Sequence, residues 1–247
     1  MNRRDDVSLF TGGPLYREVK RRLTDALAAG QWKPGEAIPP EPQLAGRFGV
    51  SIGTLRKAID ELASENVLLR QQGRGTFVAS HRGEAMRFLF FSIIGQDGSQ
   101  QYPDVRLEKF QRTRAGDTVA AKLSIAPRAP VLQFRNTLWL GREAVGVDDI
   151  TVPAALFPGL TQTRLRQRDN TVYHFYEHGF GISVMRIAET LRAVGAPADL
   201  AALLGLAAGS PLLLVRRVAF TINDRPVESR LSWVNTVKHE YRRDAGS

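Results

Sequence analysis

The chain has 247 residues, of which 43% are hydrophobic and 24% charged, a composition typical of a globular protein with one or two domains. Its net charge of +9 favours a polyanionic partner such as nucleic acid, although residues 1–80 hold 12 Lys+Arg and 9 Asp+Glu, a net charge of only +3. The absence of cysteine excludes disulfides and thiolate metal sites. No apolar run approaches the roughly 20 residues of a membrane span, and the polar N-terminus lacks a signal core, so we expect a cytoplasmic protein with no membrane partner.

The first predicted element is a helix that begins near residue 15. Apolar residues recur at every fourth position, with basic residues between them: Leu15, Val19, Leu23 and Leu27. This spacing predicts an amphipathic helix of about four turns, and Gly30 is expected to end it.

The segment from position 39 to 59, PPEPQLAGRFGVSIGTLRKAI, predicts two short helices joined by a tight turn. Leu44 and Phe48 supply the inward face of the first helix. The turn falls just before Ser51, whose hydroxyl stands at the N-cap position of the second helix and can accept an orphan N–H. The core-facing residues of the second helix recur at i, i+4 and i+7: Leu55, Ile59 and Leu62. The segment is therefore a helix-turn-helix whose second helix is the recognition candidate.

The opposite face of the recognition candidate carries small and basic residues: Ser51, Gly53, Thr54, Arg56 and Lys57. These residues begin at the positive end of a helix, which suits a phosphate backbone. We expect Arg56 and Lys57 to contact phosphates, while the small residues approach base edges. A plain solvated face is the alternative interpretation, and the adjoining turn and cap argue against it.

A second DNA contact is predicted where residues 67–70 and 76–78 form two short strands. The connection between them contains Gly73 and Arg74, and a Gly-rich hairpin after a helix-turn-helix is a wing. Arg74 at its tip is suited to a narrow minor groove, although a mobile surface arginine has the same sequence pattern. We therefore predict a winged helix-turn-helix domain over residues 1–79.

The remainder of the chain mixes strand and helix signals after a short polar linker at 80–86. Strands are predicted at 87–94, 105–114, 131–140, 143–152, 182–194, 211–222 and 226–237, and short helices at 170–178 and 197–204. Asn223-Asp224 is expected to form a hairpin turn. These signals indicate an α+β domain over residues 87–247 that is dominated by an antiparallel sheet.

From Pro14 to Ala79 the chain resembles the DNA-binding domain of the GntR family of bacterial transcription regulators, on the segments GVS…TLRKAI and QGRGTFVA. The second half resembles the UTRA effector-binding domain, which has the chorismate lyase fold and accompanies the winged helix in the HutC subfamily. The segments that carry this resemblance are the stretch from Phe134-Arg135 to Val152-Pro153, Thr171-Val172-Tyr173, AALLGLAAGSPLLLVRRVAF and RPVES.

The resemblance implies a homodimeric, ligand-responsive transcription regulator, most simply a repressor. A small-molecule effector would release it from a pseudo-palindromic operator in double-stranded DNA. Two residues depart from the family pattern. Pro42 replaces an arginine at the start of the first motif helix, and Ile52 replaces an arginine that often follows the capping serine. The operator preference of other members is therefore not carried over to this chain.

The resemblance also implies an effector site. Arg135 matches an arginine that UTRA domains direct at an anionic ligand group, and Thr137 stands where many members have a second arginine, so a carboxylate is favoured over a phosphate. Thr171 and Tyr173 match the start of the pocket helix, and Glu228 matches an acceptor for a ligand hydroxyl or amine. We expect one ligand to bridge Arg135 and Glu228. A surface ion pair is the alternative interpretation of Arg135.

Two other functions stay open at this stage: a chorismate-lyase-like enzyme fused to a DNA-binding module, and a DNA-binding protein whose second domain only dimerises. Catalysis has little support, because no nucleophile elbow, Walker loop or cofactor signature is present. His174 and His178 are four residues apart but lack a zincin pattern, and we interpret them as structural or surface residues. Asp148-Asp149 is interpreted as a solvated acidic pair. We therefore predict no catalytic residue, no metal site and no cofactor.

Overall fold

A computed structural model describes residues 14–80, 90–168 and 171–242, which fall into two compact units that divide after Ser80. Ser80 is buried in the first unit. It is the first residue of the predicted linker, and the other linker positions, 81–86, lie outside the described residues. Positions 1–13, which were assigned to the first domain, lie outside them as well. No helix among the described residues is long and apolar enough to cross a membrane.

Over residues 14–80, the first unit contains three helices and a two-stranded sheet: α1 (Leu15–Ala28), α2 (Glu41–Phe48), α3 (Ile52–Ser64), β1 (Leu68–Gln71) and β2 (Gly75–Val78). Its core is built from the predicted apolar stripes, since Val19, Leu23 and Leu27 of α1 are buried. The buried residues of α3 are Leu55, Ala58, Ile59 and Leu62. Leu15 stays 38% exposed, so the first residue of the predicted stripe does not join the core.

The ends of the two motif helices follow the sequence closely. Gly49 ends α2 in the left-handed conformation at φ 66°, which glycine adopts without steric cost. The Ser51 side chain accepts the backbone N–H of Thr54 at 3.1 Å and caps α3 as predicted. Pro42 lies in the first turn of α2, where the missing N–H costs no intrahelical hydrogen bond.

The predicted wing is also present. β1 and β2 pair antiparallel from Leu68↔Val78 to Gln71↔Gly75. Gly73 and Gly75 have φ of 71° and 112°, so the tight connection uses backbone conformations that favour glycine. The first unit is therefore a winged helix-turn-helix.

The described part of the second unit contains eight strands: β3 (Ile93–Gly95), β4 (Asp104–Arg114), β5 (Pro130–Leu140), β6 (Glu143–Pro153), β7 (Arg186–Gly195), β8 (Pro211–Phe220), β9 (Pro226–Val234) and β10 (His239–Tyr241). Its helices are α4 (Asp117–Leu123), α5 (Gln162–Arg166), α6 (Val172–Phe180) and α7 (Ala198–Leu204). Six strands form one antiparallel sheet in the order β4-β5-β6-β9-β8-β7, and β3 pairs with β10 separately. The unit is thus an α+β domain with a dominant antiparallel sheet, as the sequence predicts.

Each face of the six-stranded sheet is covered by different helices. On one face, Phe134 and Ile150 pack with Tyr173 and Tyr176 of α6, and we call this the α6 face. On the other, Val147 packs with residues of α7, while Val131 packs with residues of α4; we call this the α7 face. Because side chains alternate along a strand, neighbouring residues of β5, β6 and β9 belong to opposite faces.

The outermost strands of the sheet, β4 and β7, carry many charged residues. Those of β4 are Asp104, Arg106, Glu108, Lys109, Arg112 and Arg114, and those of β7 are Arg186, Glu189 and Arg192. The pairing of β4 with β5 shifts its register between Leu107 and Lys109, where Glu108 is inserted as a bulge.

Several element predictions need correction. In the described part of the strand predicted at 87–94, only β3 at Ile93–Gly95 is extended in a sheet. The short elements α4, α5 and β10 were not predicted. Helices of five to seven residues are unstable by themselves and form because tertiary packing holds them, so their sequences contain little periodic signal. The Asn223-Asp224 turn is confirmed, with φ of 63° and 53° at the connection between β8 and β9.

Candidate functional site

The predicted DNA-contacting residues of α3 form one solvent-facing surface. Ser51, Gly53, Arg56 and Lys57 are exposed and Thr54 is half-buried. The buried stripe of the same helix lies on its other side and packs into the core of the first unit. The hydrophobic pattern therefore fixes which side of α3 is available to a partner.

Arg56 is not a free cation, contrary to the simple expectation from the sequence. Its Nε and one terminal nitrogen donate to Oε2 of Glu41 on α2, at 2.9 and 2.8 Å. The other carboxylate oxygen of Glu41 accepts from Arg70 of β1 at 3.3 Å, and Arg70 also pairs with Asp60 of α3 at 2.6 Å. Glu41 thus ties the recognition helix to the wing and offsets part of the positive charge between them.

Other cations of this unit lie against aromatic rings and keep their charge. Lys57 Nζ is 4.1 Å from the ring centroid of Tyr16, and the Arg74 guanidinium is 5.8 Å from that of Phe77. Arg47, near the end of α2, lies 5.8 Å from the Trp32 ring. An aromatic ring positions a cation without neutralising it, so these groups can still bind phosphates. The sequence did not single out Arg47, because residues far apart in the chain make this contact.

A buried polar cluster lies on the α6 face of the second unit, around Glu228. Glu228 is fully buried and accepts hydrogen bonds from Tyr173 at 3.1 Å and from Tyr176 at 2.8 Å. Arg230, two residues along β9, binds both Glu228 oxygens at 2.8 and 3.0 Å. Arg230 also donates to Asp148 of β6 at 3.1 Å, and Asp148 accepts from Ser232. Three side chains, two from α6 and one from β9, thus donate to the one carboxylate of Glu228.

Burial governs the protonation of the two tyrosines. It raises the pKa of Tyr173 to about 12 and the pKa of Tyr176 well above its ordinary value. Both phenols are therefore neutral near pH 7 and donate hydrogen bonds to the Glu228 carboxylate. Ionisable groups buried together in this way are typical of functional sites.

Two further groups next to this cluster have unused hydrogen-bonding capacity. Oδ1 of Asn136, whose β5 position pairs with Asp148, is buried without a hydrogen-bond partner among the described residues. Burial lowers the pKa of the half-buried Arg168, which interacts electrostatically with Tyr176 and Asp148. Its guanidinium donates to the Leu165 carbonyl at 2.6 Å, and within the described residues it forms no ion pair with a carboxylate.

Arg135 occupies a different environment on the α7 face. It donates to both oxygens of Asp149 at 2.6 and 2.7 Å, and to Asp199 of α7 at 2.9 Å. Because Glu228 lies on the α6 face, the sheet separates these two side chains. The expectation that one small molecule bridges Arg135 and Glu228 is therefore wrong. The alternation of side chains on β5 and β9 is what separates them.

The other predicted effector residues also take defined places. Tyr173 joins Glu228 in the polar cluster. The Thr137 hydroxyl donates to Glu108, on the neighbouring strand β4. Thr171 caps α6, where its side chain accepts the backbone N–H of His174 at 3.1 Å. The structure therefore brings two of the five predicted residues, Tyr173 and Glu228, into contact.

The acidic pair on β6 was also misinterpreted. Asp148 is 4% exposed and belongs to the polar cluster, whereas Asp149 pairs with Arg135 on the opposite face. Arg230 was not among the predicted site residues, although it shares a strand face with Glu228 by simple alternation. Asn136, Arg168 and Tyr176 had no such signal, since their roles depend on contacts between distant segments.

Two of the described histidines lie next to each other. The His174 and His178 rings are stacked with centroids 4.0 Å apart on α6. Among the described residues, no group of three or more His, Cys, Asp or Glu side chains could hold a metal ion.

Comparison with known proteins agrees with this architecture. Residues 15–78 match bacterial regulatory proteins of the gntR family, and residues 99–240 match the UTRA domain. The chain is 30% identical over 206 residues to the histidine utilization repressor of Klebsiella aerogenes, covering 83% of both chains. It is 27% identical over 232 residues to the mannosyl-D-glycerate transport/metabolism system repressor MngR of Escherichia coli, covering 92% of this chain and 94% of that repressor.

Solved structures point the same way. The ligand-binding domain of a GntR-family transcriptional regulator from Bordetella bronchiseptica is 32% identical, with a TM-score of 0.61, over 64% of this chain and 98% of that one. PhnF from Mycobacterium smegmatis is 25% identical, with a TM-score of 0.53, over 92% of this chain and 99% of that one. The relatives are regulators of transcription rather than enzymes. The chain belongs to the gntR family of bacterial regulatory proteins and carries a UTRA domain as its second half.

Proposed function

We propose that this regulator is a homodimeric repressor that binds a pseudo-palindromic operator in double-stranded DNA and leaves it when a small carboxylate-bearing effector binds the α6 face. The observation that carries the effector site is the buried cluster around Glu228, next to an unpaired amide oxygen and an arginine that has no carboxylate partner among the described residues. Burying this many ionisable groups costs stability unless each is compensated, and such clusters are typical of sites that serve a ligand.

The chemistry of this cluster favours a carboxylate that also carries a hydroxyl or amine. The Arg168 guanidinium can pair with the ligand carboxylate, and a charged hydrogen bond of this kind is stronger than a neutral one. Oδ1 of Asn136 can accept from the ligand hydroxyl or amine and would thereby lose its unsatisfied state. Glu228 is already bound by Tyr173, Tyr176 and Arg230, so it acts here by holding the cluster together.

The DNA contacts proposed for the first unit are the exposed face of α3 and the wing. Ser51, Gly53 and Thr54 lie near the start of α3, where base edges come within reach. Lys57 and Arg74 bind phosphates or the minor groove, and Arg56 joins them when it exchanges Glu41 for a phosphate. Ile52 is 43% exposed on the same helix and suits an apolar contact with a thymine methyl.

One winged helix reads a single half-site, and this is the reason to expect a dimer on a symmetric operator. Sedimentation of the full chain at micromolar concentration tests the assembly. A monomer under these conditions, both free and on a two-half-site duplex, would contradict the dimer but leave the effector site open.

A calorimetric screen of the full chain with small hydroxy- and amino-carboxylates tests the effector site. An active compound should raise the unfolding temperature and release operator DNA, with a coupling free energy of about 1–3 kcal/mol between the two events. Arg168→Gln should weaken its binding by about 2–5 kcal/mol, because the ligand charge is left unpaired. Arg166→Gln is the matched control, since Arg166 is exposed on α5. Equal affinity in the two variants would place the effector elsewhere.

A further inference from the structure

The α7 face contains a groove that the effector site does not use. It has a volume of about 770 Å³ and is lined by residues of the sheet and of α4 and α7, among them Lys109, Lys122, Gln133, Arg135, Asp199 and Arg216. This volume lies within the range of about 300–1,000 Å³ that small-molecule sites occupy.

The floor of the groove is polar, although it is the surface of a sheet that elsewhere packs apolar side chains. Gln111, Gln133, Thr151 and Ser229 occupy paired positions on four successive strands. Gln111 donates to Gln133 at 2.9 Å, and Gln133 donates to Thr151 at 3.4 Å. Such a ladder offers amide and hydroxyl groups side by side, which suits a ligand rich in hydroxyl groups.

The charges around this floor are unequal. Arg135 is fully engaged, since it holds Asp149 and Asp199, the two acidic residues that line the groove. Three other cations also line it: Lys109, Lys122 and Arg216. None of them forms an ion pair with an acid among the described residues. The groove therefore has an excess of positive charge, which attracts an anion.

Arg135 also has a structural part in this arrangement. Its bonds to Asp149 of β6 and Asp199 of α7 fix one wall of the groove against the floor. With its own charge compensated, it positions the site rather than binding the anion. Of the three remaining cations, Lys109 on β4 and Arg216 on β8 stand at opposite ends of the groove, and Lys122 stands on α4.

We infer that this groove is a second small-molecule site, which takes a polyhydroxylated anion such as a sugar acid or a sugar phosphate. The hydroxyl groups of the ligand lie on the Gln–Thr–Ser floor, and its anionic group pairs with Arg216 at the β8 end of the groove. A second copy of the chain is a poorer occupant, because covering the groove with protein would bury three uncompensated cations. This site does not depend on the effector proposed for the α6 face.

Isothermal titration calorimetry of the full chain with three probes tests this inference: D-gluconate, D-glucose 6-phosphate and neutral D-glucose. We expect at least one of the two anions to bind with a dissociation constant below about 1 mM and glucose to bind much more weakly. The anion that binds more tightly identifies the carboxylate or the phosphate as the preferred group.

Three variants then locate the binding. Arg216→Gln should weaken the anionic probe about tenfold or more, as expected for the loss of one charged hydrogen bond. Arg192→Gln, which removes an exposed cation outside the groove from the neighbouring strand β7, should change the affinity less than about twofold. Gln133→Leu should weaken the probe by disrupting the polar floor, while Arg168→Gln on the other face should have no effect.

Several results would overturn the inference. They are no binding of either anion at millimolar concentration, equal losses in Arg216→Gln and Arg192→Gln, or a loss of binding only in Arg168→Gln. If Arg216→Gln differs from the wild type in oligomeric state, as measured by sedimentation, but binds the probe equally well, a second copy of the chain covers the groove. The first two outcomes leave the test of the α6-face effector unaffected, whereas a loss of binding only in Arg168→Gln would place the probe in the α6-face site.

Discussion

Arg135 and Glu228 carry opposite charges at one six-stranded sheet, yet they lie on opposite faces of it. Arg135 pairs with Asp149 and Asp199 at a partly exposed position, whereas Glu228 is completely buried between two tyrosines and Arg230. An arginine–carboxylate ion pair therefore occurs in two environments in this one sheet: partly exposed at Arg135 and buried at Glu228. The free energy cost of breaking each one should differ accordingly.

We expect Glu228→Ala to lower the free energy of unfolding by about 3–5 kcal/mol, because it leaves Arg230 buried with only Asp148 to compensate it. Arg135→Ala should cost about 1 kcal/mol, since solvent screens its partly exposed pairs. Urea denaturation of both variants measures the difference. Similar costs for the two would mean that water reaches Glu228 as freely as Arg135.

Removal of the helix cap gives a prediction for the first unit. Ser51→Ala should destabilise the winged helix by about 1 kcal/mol, because the Thr54 N–H loses its acceptor at the start of α3. Ser64→Ala is the control, since Ser64 is an exposed serine at the last position of the same helix. Thermal unfolding of both variants makes the comparison, and equal midpoints would argue against a stabilising cap.

The bond between Glu41 and Arg56 predicts opposite salt effects in two variants. Arg56→Ala should weaken binding to operator and random duplexes alike, and lower the slope of log K against log salt by about one unit. Glu41→Gln should strengthen binding to both duplexes and steepen the slope. The substitution removes the carboxylate that pairs with Arg56 and Arg70, so both cations become more available to phosphates. Asp25→Asn, on α1, serves as the control for the loss of one acidic charge. If Arg56→Ala leaves both affinities unchanged, this face of α3 does not contact DNA.

The buried tyrosine gives a prediction about pH. The pKa of Tyr173 in the folded chain is about 12, above the value of about 10 in an unfolded chain. Folding therefore favours the neutral phenol. The resulting stabilisation is fully present below pH 10 and is lost as the pH rises from about 10 to about 12.

Ultraviolet titration of tyrosinate in the wild type and in Tyr173→Phe isolates this group. The difference between the two folded proteins should develop only near pH 12, and in the unfolded chains near pH 10. A difference that develops near pH 10 in the folded proteins as well would mean that the phenol is solvated.

The sequence predicts the winged helix in nearly all its details, because local signals determine it. The Ser51 cap, the Gly49 turn and the Leu55 stripe each depend on neighbours within a few positions. The second unit is less predictable. Its strands alternate clearly, so most of the sheet follows, but α4, α5 and β10 are too short to carry a periodic signal.

The candidate site illustrates the same limit. Alternation alone could have shown that Glu228 and Arg230 share a strand face, as could the opposite placement of Asp148 and Asp149. No local pattern could show that Arg135 on β5 and Glu228 on β9 point to opposite faces of the sheet. That depends on the register between strands that are about a hundred residues apart in the chain. The pairing of Arg56 with Glu41 has the same origin, since packing of α2 on α3 brings them together.

The charged strands β4 and β7 have a consequence for how the chain behaves at high concentration. A sheet that ends in long, flat, apolar strands offers its free backbone groups to any other chain, and open-ended aggregation follows. Here both terminal strands carry closely spaced charges, and the Glu108 bulge interrupts the regular spacing of β4. Growth of the sheet from one molecule into the next is therefore disfavoured. Such edges keep both the folded and the partly folded forms of this regulator from joining edge to edge.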